Sequence, residues 1–343
     1  SKASLDYYTR EYSPYQHRQL RIIEFPHTGG TFAQSFANTI PFSEAIGFIA
    51  DVDEKNHNAV DYPYAVTAHE IAHQWWAHQV VGANVQGATL MSESMSEYSS
   101  LKVLEQRYGK GQMRKFLKDA LDNYLKGRSA ERLGEKPLMY NENQQYIHYQ
   151  KGSLVLYAMS DYLGEAVFNG TVKGYLEQTA FQNPPYTNSL EFVDHLRRAT
   201  PDSLQYLIKD MFETITFYEN KIENVSSKKL ANGKYQVDIA FQVAKYRVDK
   251  NGKRIYDDSN PAAQPKSKKG EIRSLPLQDY IEVGVFAESK KDNNDQKELY
   301  VKKHKIGQVN NKLSIIVNEK PTAVGIDPEN KLIDTNSDAS RKS

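Results

Sequence analysis

Residues 64–78 carry Ala65, Ala68, Ala72 and Trp76 at spacings of three and four, with no internal Pro or Gly. That is the pattern of an amphipathic helix. Positions four apart on a helix share a face, so His69 and His73 aim two imidazoles at one point, with Glu70 beside the first. The chain has no cysteine, so a metal held there takes its remaining ligand from His, Asp or Glu.

Two imidazoles and a carboxylate suit zinc. A catalytic zinc keeps three protein ligands and leaves one position for a water, whose pKa falls to about 7 on binding. Glu70 is placed to take that proton, which is the mechanics of an HExxH segment. The third ligand is expected from the next helix, read from Glu93 to Tyr108 and closed by Gly109. Both Glu93 and Glu97 lie on its first turns, and spacing alone leaves either as the ligand.

A chain of 343 residues exceeds one typical core, so two domains are expected. The net charge of +1 argues against a nucleic-acid surface. Strands are expected over 20–25, stopped by Pro26, and over 45–50. Helices are expected over 64–78, 93–108, 150–163, 172–180, 189–199 and 203–215. Met113, Phe116, Leu117, Ala120, Leu121 and Tyr124 mark the buried stripe of another. Asn188 and Glu191 read as a capping box. From about Glu223 the period changes to two: Tyr235, Val237, Ile239 and Phe241 alternate with polar residues, and similar runs follow at 280–287, 299–304 and 313–317. Trp75 and Trp76 are read as core, and His78 and His148 as cleft-lining candidates. Asn169 and Asn224 begin glycosylation sequons, and Lys266, Lys268 and Lys269 form a solvated basic loop.

His69-Glu70-Ile71-Ala72-His73-Gln74-Trp75-Trp76, followed by Glu93 and Tyr98, resembles the gluzincin aminopeptidases of the alanyl and puromycin-sensitive type. Residues 74–92 separate His73 from Glu93, one more than the family's usual spacing, which a loop insertion would absorb. Tyr149-Gln150-Lys151-Gly152 is similar to the family's Tyr-Glu-Lys-Gly, and Pro41-Phe42-Ser43-Glu44-Ala45 to a degenerate Gly-x-Met-Glu-Asn strand. The resemblance implies a hydrolase, a metalloprotease with one zinc ion on His69, His73 and Glu93. Glu70 activates the water, Tyr149 stabilises the oxyanion, and Glu44 binds the free amine of a peptide substrate. A thermolysin-like endopeptidase and a catalytically silent peptide-binding domain of a membrane transporter are the alternatives.

The implied fold class is α+β: a mainly helical, thermolysin-like zinc-peptidase domain over 1–222, a small antiparallel β-sandwich over 223–335, and a disordered tail over 336–343. Gly325-Ile326-Asp327-Pro328 looks like the close of that β module. The start at Ser-Lys-Ala, without Met, reads as a fragment of a longer protein. Residues 15–20 and 39–44 look most like bacterial proteins in which such a peptidase is fused to a transporter permease, implying a membrane-associated parent with this domain outside the bilayer.

Overall fold

The computed structural model describes residues 1–53, 56, 59–262, 272–289 and 296–342. They divide into two compact units, Ser1–Glu131 with Lys136–Glu213, and Arg132–Glu135 with Thr214–Ser343.

The first unit opens with α1 (Lys2–Glu11), β1 (Arg21–Phe25), β2 (Thr39–Ser43), the short α2 (Glu44–Gly47) and α3 (Tyr62–Ala72). It continues through α4 (Met95–Tyr108), α5 (Met113–Ser129), α6 (Gly152–Leu163), α7 (Glu165–Thr179), α8 (Ser189–Ala199) and α9 (Gln205–Ile208). β1 and β2 run parallel, with Arg21 opposite Thr39. The other edge of β2 is bridged by Ala33 and Phe36. All six residues of the predicted α5 stripe are buried. Asn188 caps α8, its Oδ1 accepting from the Leu190 and Glu191 amides at 3.0 and 3.1 Å. Glu191 itself takes the Thr187 hydroxyl at 2.7 Å, so only half of a capping box forms.

Several expectations are corrected. The strand expected over 45–50 is instead β2, six residues earlier in its start, and α2 follows because the Ser43 hydroxyl accepts from the Ala45 amide. The helix expected to reach His78 stops at Ala72 and gives way to turns, among them Ala77 at a φ of 125° that lies outside any helix. Glu93 lies not at an α-helical start but in a π-helical turn, Leu90–Ser94, that runs into α4. A second π turn, Tyr146–Lys151, leads into α6, and a third, Lys209–Glu213, replaces the end of the helix expected over 203–215. Asn169 is 3% exposed and donates to Tyr7 and Glu11, so folded chain offers no access to that sequon, whereas Asn224 is exposed.

The second unit begins with β3 (Ile215–Lys229), β4 (Tyr235–Val248) and β5 (Arg254–Ile255). Then come β6 (Asp279–Glu288), β7 (Gln296–Ile306), β8 (Asn310–Val317), β9 (Ala323–Ile326) and β10 (Arg341–Lys342). They pair antiparallel in two four-stranded sheets, β10-β9-β6-β7 and β3-β4-β5 with β8 also on β4. Val237, Ile239 and Phe241 of β4 are buried while Asp238 is exposed, as the period of two requires. Asp279 on β6 ties the sheets together, accepting from Tyr218 of β3 at 2.7 Å and pairing with Lys245 of β4 at 2.8 Å. The stretch expected to be a disordered tail carries β10, and Ser340 is buried, because the β9 edge supplies partners for its backbone. The predicted loop of Lys266, Lys268 and Lys269 lies outside the described residues. No helix among the described residues is long and apolar enough to cross a membrane.

Candidate metal centre

α3 starts where Asp61 caps it, Oδ1 accepting from the Tyr64 amide at 3.1 Å. Its far end is anchored by the fully buried Trp75 and Trp76. Their indoles donate to the Ser13 carbonyl at 3.0 Å and to the Ser99 hydroxyl of α4 at 3.2 Å. Tyr8 of α1 and Ser100 of α4 donate to the α3 carbonyls of Ala68 and Ala65 at 2.9 and 2.8 Å. Both expected core tryptophans thus fix the helix that carries His69, Glu70 and His73.

The Nε2 atoms of His69 and His73 lie 2.9 Å apart, and Glu93 Oε2 lies 3.3 Å from the first and 3.4 Å from the second. With ligand bonds of 2.0–2.1 Å, a tetrahedral ion would set its ligand atoms about 3.3 Å apart. Glu93 Oε2 is buried without a hydrogen-bond partner, and these residues form a group of His and carboxylate ligand atoms within 4.8 Å of one another. The donor set fits one divalent cation. A metal bridging these atoms would satisfy the orphaned oxygen.

The outer ring nitrogens are also held. His73 Nδ1 donates to the Trp76 carbonyl at 2.9 Å, with the Ser96 hydroxyl at 3.1 Å. His69 Nδ1 lies 3.1 Å from Glu97 Oε1. The Trp76 carbonyl can only accept, so it places a His73 proton on Nδ1, with Nε2 turned toward Glu93. Glu97, the competing ligand by spacing, lies on the far side of His69 from that meeting point.

Burial tends to raise the Glu93 carboxyl, but the two imidazoles outweigh it and hold it below its ordinary range. Glu70 is 7% exposed, and burial raises its carboxyl above the ordinary value against the pull of both histidines. Burial, then Glu93, raises the Tyr149 hydroxyl, so it stays protonated. The Tyr149 ring centroid is 5.7 Å from that of His69. His148, read from the sequence only as a cleft candidate, is buried and neutral: burial lowers it to about 4, and its Nδ1 accepts from the Asn141 amide at 3.2 Å.

Glu44 opens α2, where its Oε1 accepts from the His27 amide at 2.9 Å and meets the His27 imidazole Nδ1 at 2.5 Å. The sequence reading missed Ser94, Ser96 and the Trp76 carbonyl. Their roles depend on which helix packs beside which, and no local signal carries that.

Residues 3–214 match the peptidase family M1 domain. "Probable aminopeptidase 1" of Sulfurisphaera tokodaii is 29% identical over 194 residues, which are 52% of this chain and 23% of that protein. Endoplasmic reticulum aminopeptidase 2 of Homo sapiens is 26% identical over 142 residues, 38% of this chain and 14% of that one. The chain thus spans about a quarter or less of the length of these curated relatives. Among solved structures, Legionella pneumophila aminopeptidase A in complex with aspartic acid superposes with a TM-score of 0.54 at 12% identity, covering 97% of this chain and 34% of that one. Native yeast LTA4 hydrolase does so with a TM-score of 0.50 at 14% identity, covering 61% and 33%. At such identities the structural likeness is one of fold.

Proposed function

Because this chain belongs to peptidase family M1, we propose that it is the hydrolytic part of a zinc aminopeptidase, which removes the first residue from peptides with a free N-terminus. The convergence of His69 Nε2, His73 Nε2 and Glu93 Oε2 beside a buried Glu70 carries this reading. Two imidazoles and one carboxylate form a ligand set that suits zinc. When bound, zinc supplies Lewis-acid polarisation of the scissile carbonyl.

The chain's own residues do the rest. Glu70, its carboxyl raised by burial, takes a proton from the attacking water as the oxygen bonds to the carbonyl carbon. The same proton passes from Glu70 to the departing amine as the C–N bond breaks. The Tyr149 hydroxyl, kept protonated, donates to the oxygen on which negative charge develops. Glu44 pairs with the substrate ammonium and limits cleavage to one residue. It does so by exchanging its His27 partner for the substrate.

A second reading, an endopeptidase with the same metal ligands, draws on that His27–Glu44 pair, which leaves the carboxylate already engaged. An N-acetylated peptide separates the two, since an aminopeptidase rejects it. The reading as a whole is tested by measuring zinc content and fluorophore release from unblocked aminoacyl substrates, for the chain and for Glu70→Gln. Near one equivalent of zinc in both, with turnover in the parent alone, is expected. No zinc in either, or full turnover in the variant, would sink it.

A further inference from the structure

The two π turns touch. Ser94, the last residue of the turn that carries Glu93, donates its hydroxyl to the His148 carbonyl at 2.6 Å, and His148 precedes Tyr149 in the other turn. Ser94 is fully buried. At the C-terminal end of that second turn, Gly152 faces Ser94 so closely that a Cβ there would lie 2.1 Å from Ser94 Oγ, 2.6 Å from its Cβ and 3.4 Å from its Cα. A hydroxyl can rotate away, but a Cβ cannot. Any side chain at position 152 therefore forces the two backbones apart.

The second turn is held on its other flank too. A Cβ on Gly127 of α5 would fall 2.3 Å from Tyr146 Cβ. The Tyr146 ring stacks on Tyr124 at 5.9 Å, and Lys151 lies with Nζ 5.4 Å from the centre of that Tyr124 ring. The turn with Tyr149 is thus fitted between α5 and the turn with Glu93, with no side chain at either glycine to act as a spacer.

We infer that Ser94 and Gly152 are positioning residues, which together set the separation between the Glu93 carboxylate and the Tyr149 hydroxyl. A π turn is one residue wider than an α turn and is found at functional sites because it re-aims the side chains it carries. Here each turn aims one site residue, and the Ser94–Gly152 approach fixes one turn against the other. This explains why a Gly follows Tyr149 at three positions' distance: only hydrogen fits. The inference rests on the proposed function for the roles of Glu93 and Tyr149, but not for the geometry.

The test compares Gly152→Ala, Ser94→Gly, Ser94→Gly/Gly152→Ala and Ser94→Ala/Gly152→Ala with the parent chain. The measurements are kcat and KM on an unblocked aminoacyl substrate, the visible absorption spectrum of the cobalt-loaded protein, and the melting temperature. Gly152→Ala is expected to bind cobalt with an altered spectrum and to lose about 10²-fold in kcat, with little change in KM, as displaced reacting groups do. Glycine at 94 removes both obstructing side-chain atoms but also the hydroxyl that binds the His148 carbonyl, so the first double variant regains spectrum and kcat in part, to the level of Ser94→Gly alone. Alanine at 94 keeps the Cβ, so the second does not. Parental kcat and spectrum in Gly152→Ala, or equal rescue by both residues at 94, would overturn the inference. Should Gly152→Ala not fold, Ser94→Ala decides, since it removes only the hydroxyl: an altered cobalt spectrum is expected, and an unaltered one overturns the inference. A parent chain with a full cobalt spectrum and no turnover would defeat the proposed function while leaving the spectral comparison intact.

Discussion

Glu97 stands against the outer nitrogen of His69, with Oε1 3.1 Å from Nδ1, while the inner nitrogen of the same ring faces Glu93 at 3.3 Å. One imidazole therefore separates two carboxylates that sequence spacing could not tell apart. A carboxylate behind a ligand histidine fixes the tautomer and strengthens the ligand. Glu97→Gln should keep the metal but weaken its binding about 10- to 100-fold, measured by competition with a chelator. Unchanged affinity would show that Glu97 does not orient His69.

Ala77 carries its side chain at a φ of 125°, just after the Trp76 carbonyl that receives His73 Nδ1. An L-residue held there costs on the order of 1–3 kcal/mol, and glycine does not. Part of that gain is lost to the greater freedom of glycine in the unfolded chain. Ala77→Gly should stabilise the chain by about 1 kcal/mol, seen as a higher urea midpoint at constant slope. A lower midpoint would mean that the strain is absent.

His27 and the substrate ammonium compete for Glu44 if the carboxylate binds the peptide amine. His27→Ala should then lower KM for unblocked substrates and leave N-acetylated ones unaffected. The change is small, because an exposed ion pair is weak. An unchanged KM would remove Glu44 from amine binding.

In the second unit burial pushes Asp327 up from 3.8 to about 7 and Asp334 to about 6. Around Asp327, Glu282 adds to that rise, while the Leu332 and Lys331 amides and the Lys331 ammonium oppose it. A carboxyl raised on folding binds its proton more tightly in the native state. Its contribution is therefore fully present below the ordinary carboxylate range and is lost as pH climbs through the folded value. The melting temperature of the chain should fall between pH 5 and pH 8 in part for this reason, and Asp327→Asn should flatten that fall. An identical slope in the variant would show that Asp327 does not titrate in this window.

Much of the fold and of the site is legible in the sequence where the signal is local. The α5 stripe from Met113 to Tyr124, the alternation of Val237, Ile239 and Phe241, and the four-residue spacing of His69 and His73 each follow from one element's period. Glu44 follows a strand as the motif likeness implies, while its pairing with His27, 17 residues away, is not legible in the motif.

By itself the sequence determined the helix that pairs two histidines with a glutamate, the change from helical to strand texture, and the residue types available to hold a metal, because each depends on neighbours within a turn or two. Only the tertiary structure decided that Glu93 meets both Nε2 atoms while Glu97 stands behind, that a π turn carries Glu93, and that Ser94 meets Gly152. Those choices are made where α3, α4 and the turn before α6 pack together. There, side-chain volume and backbone approach set distances that no periodicity along the chain encodes.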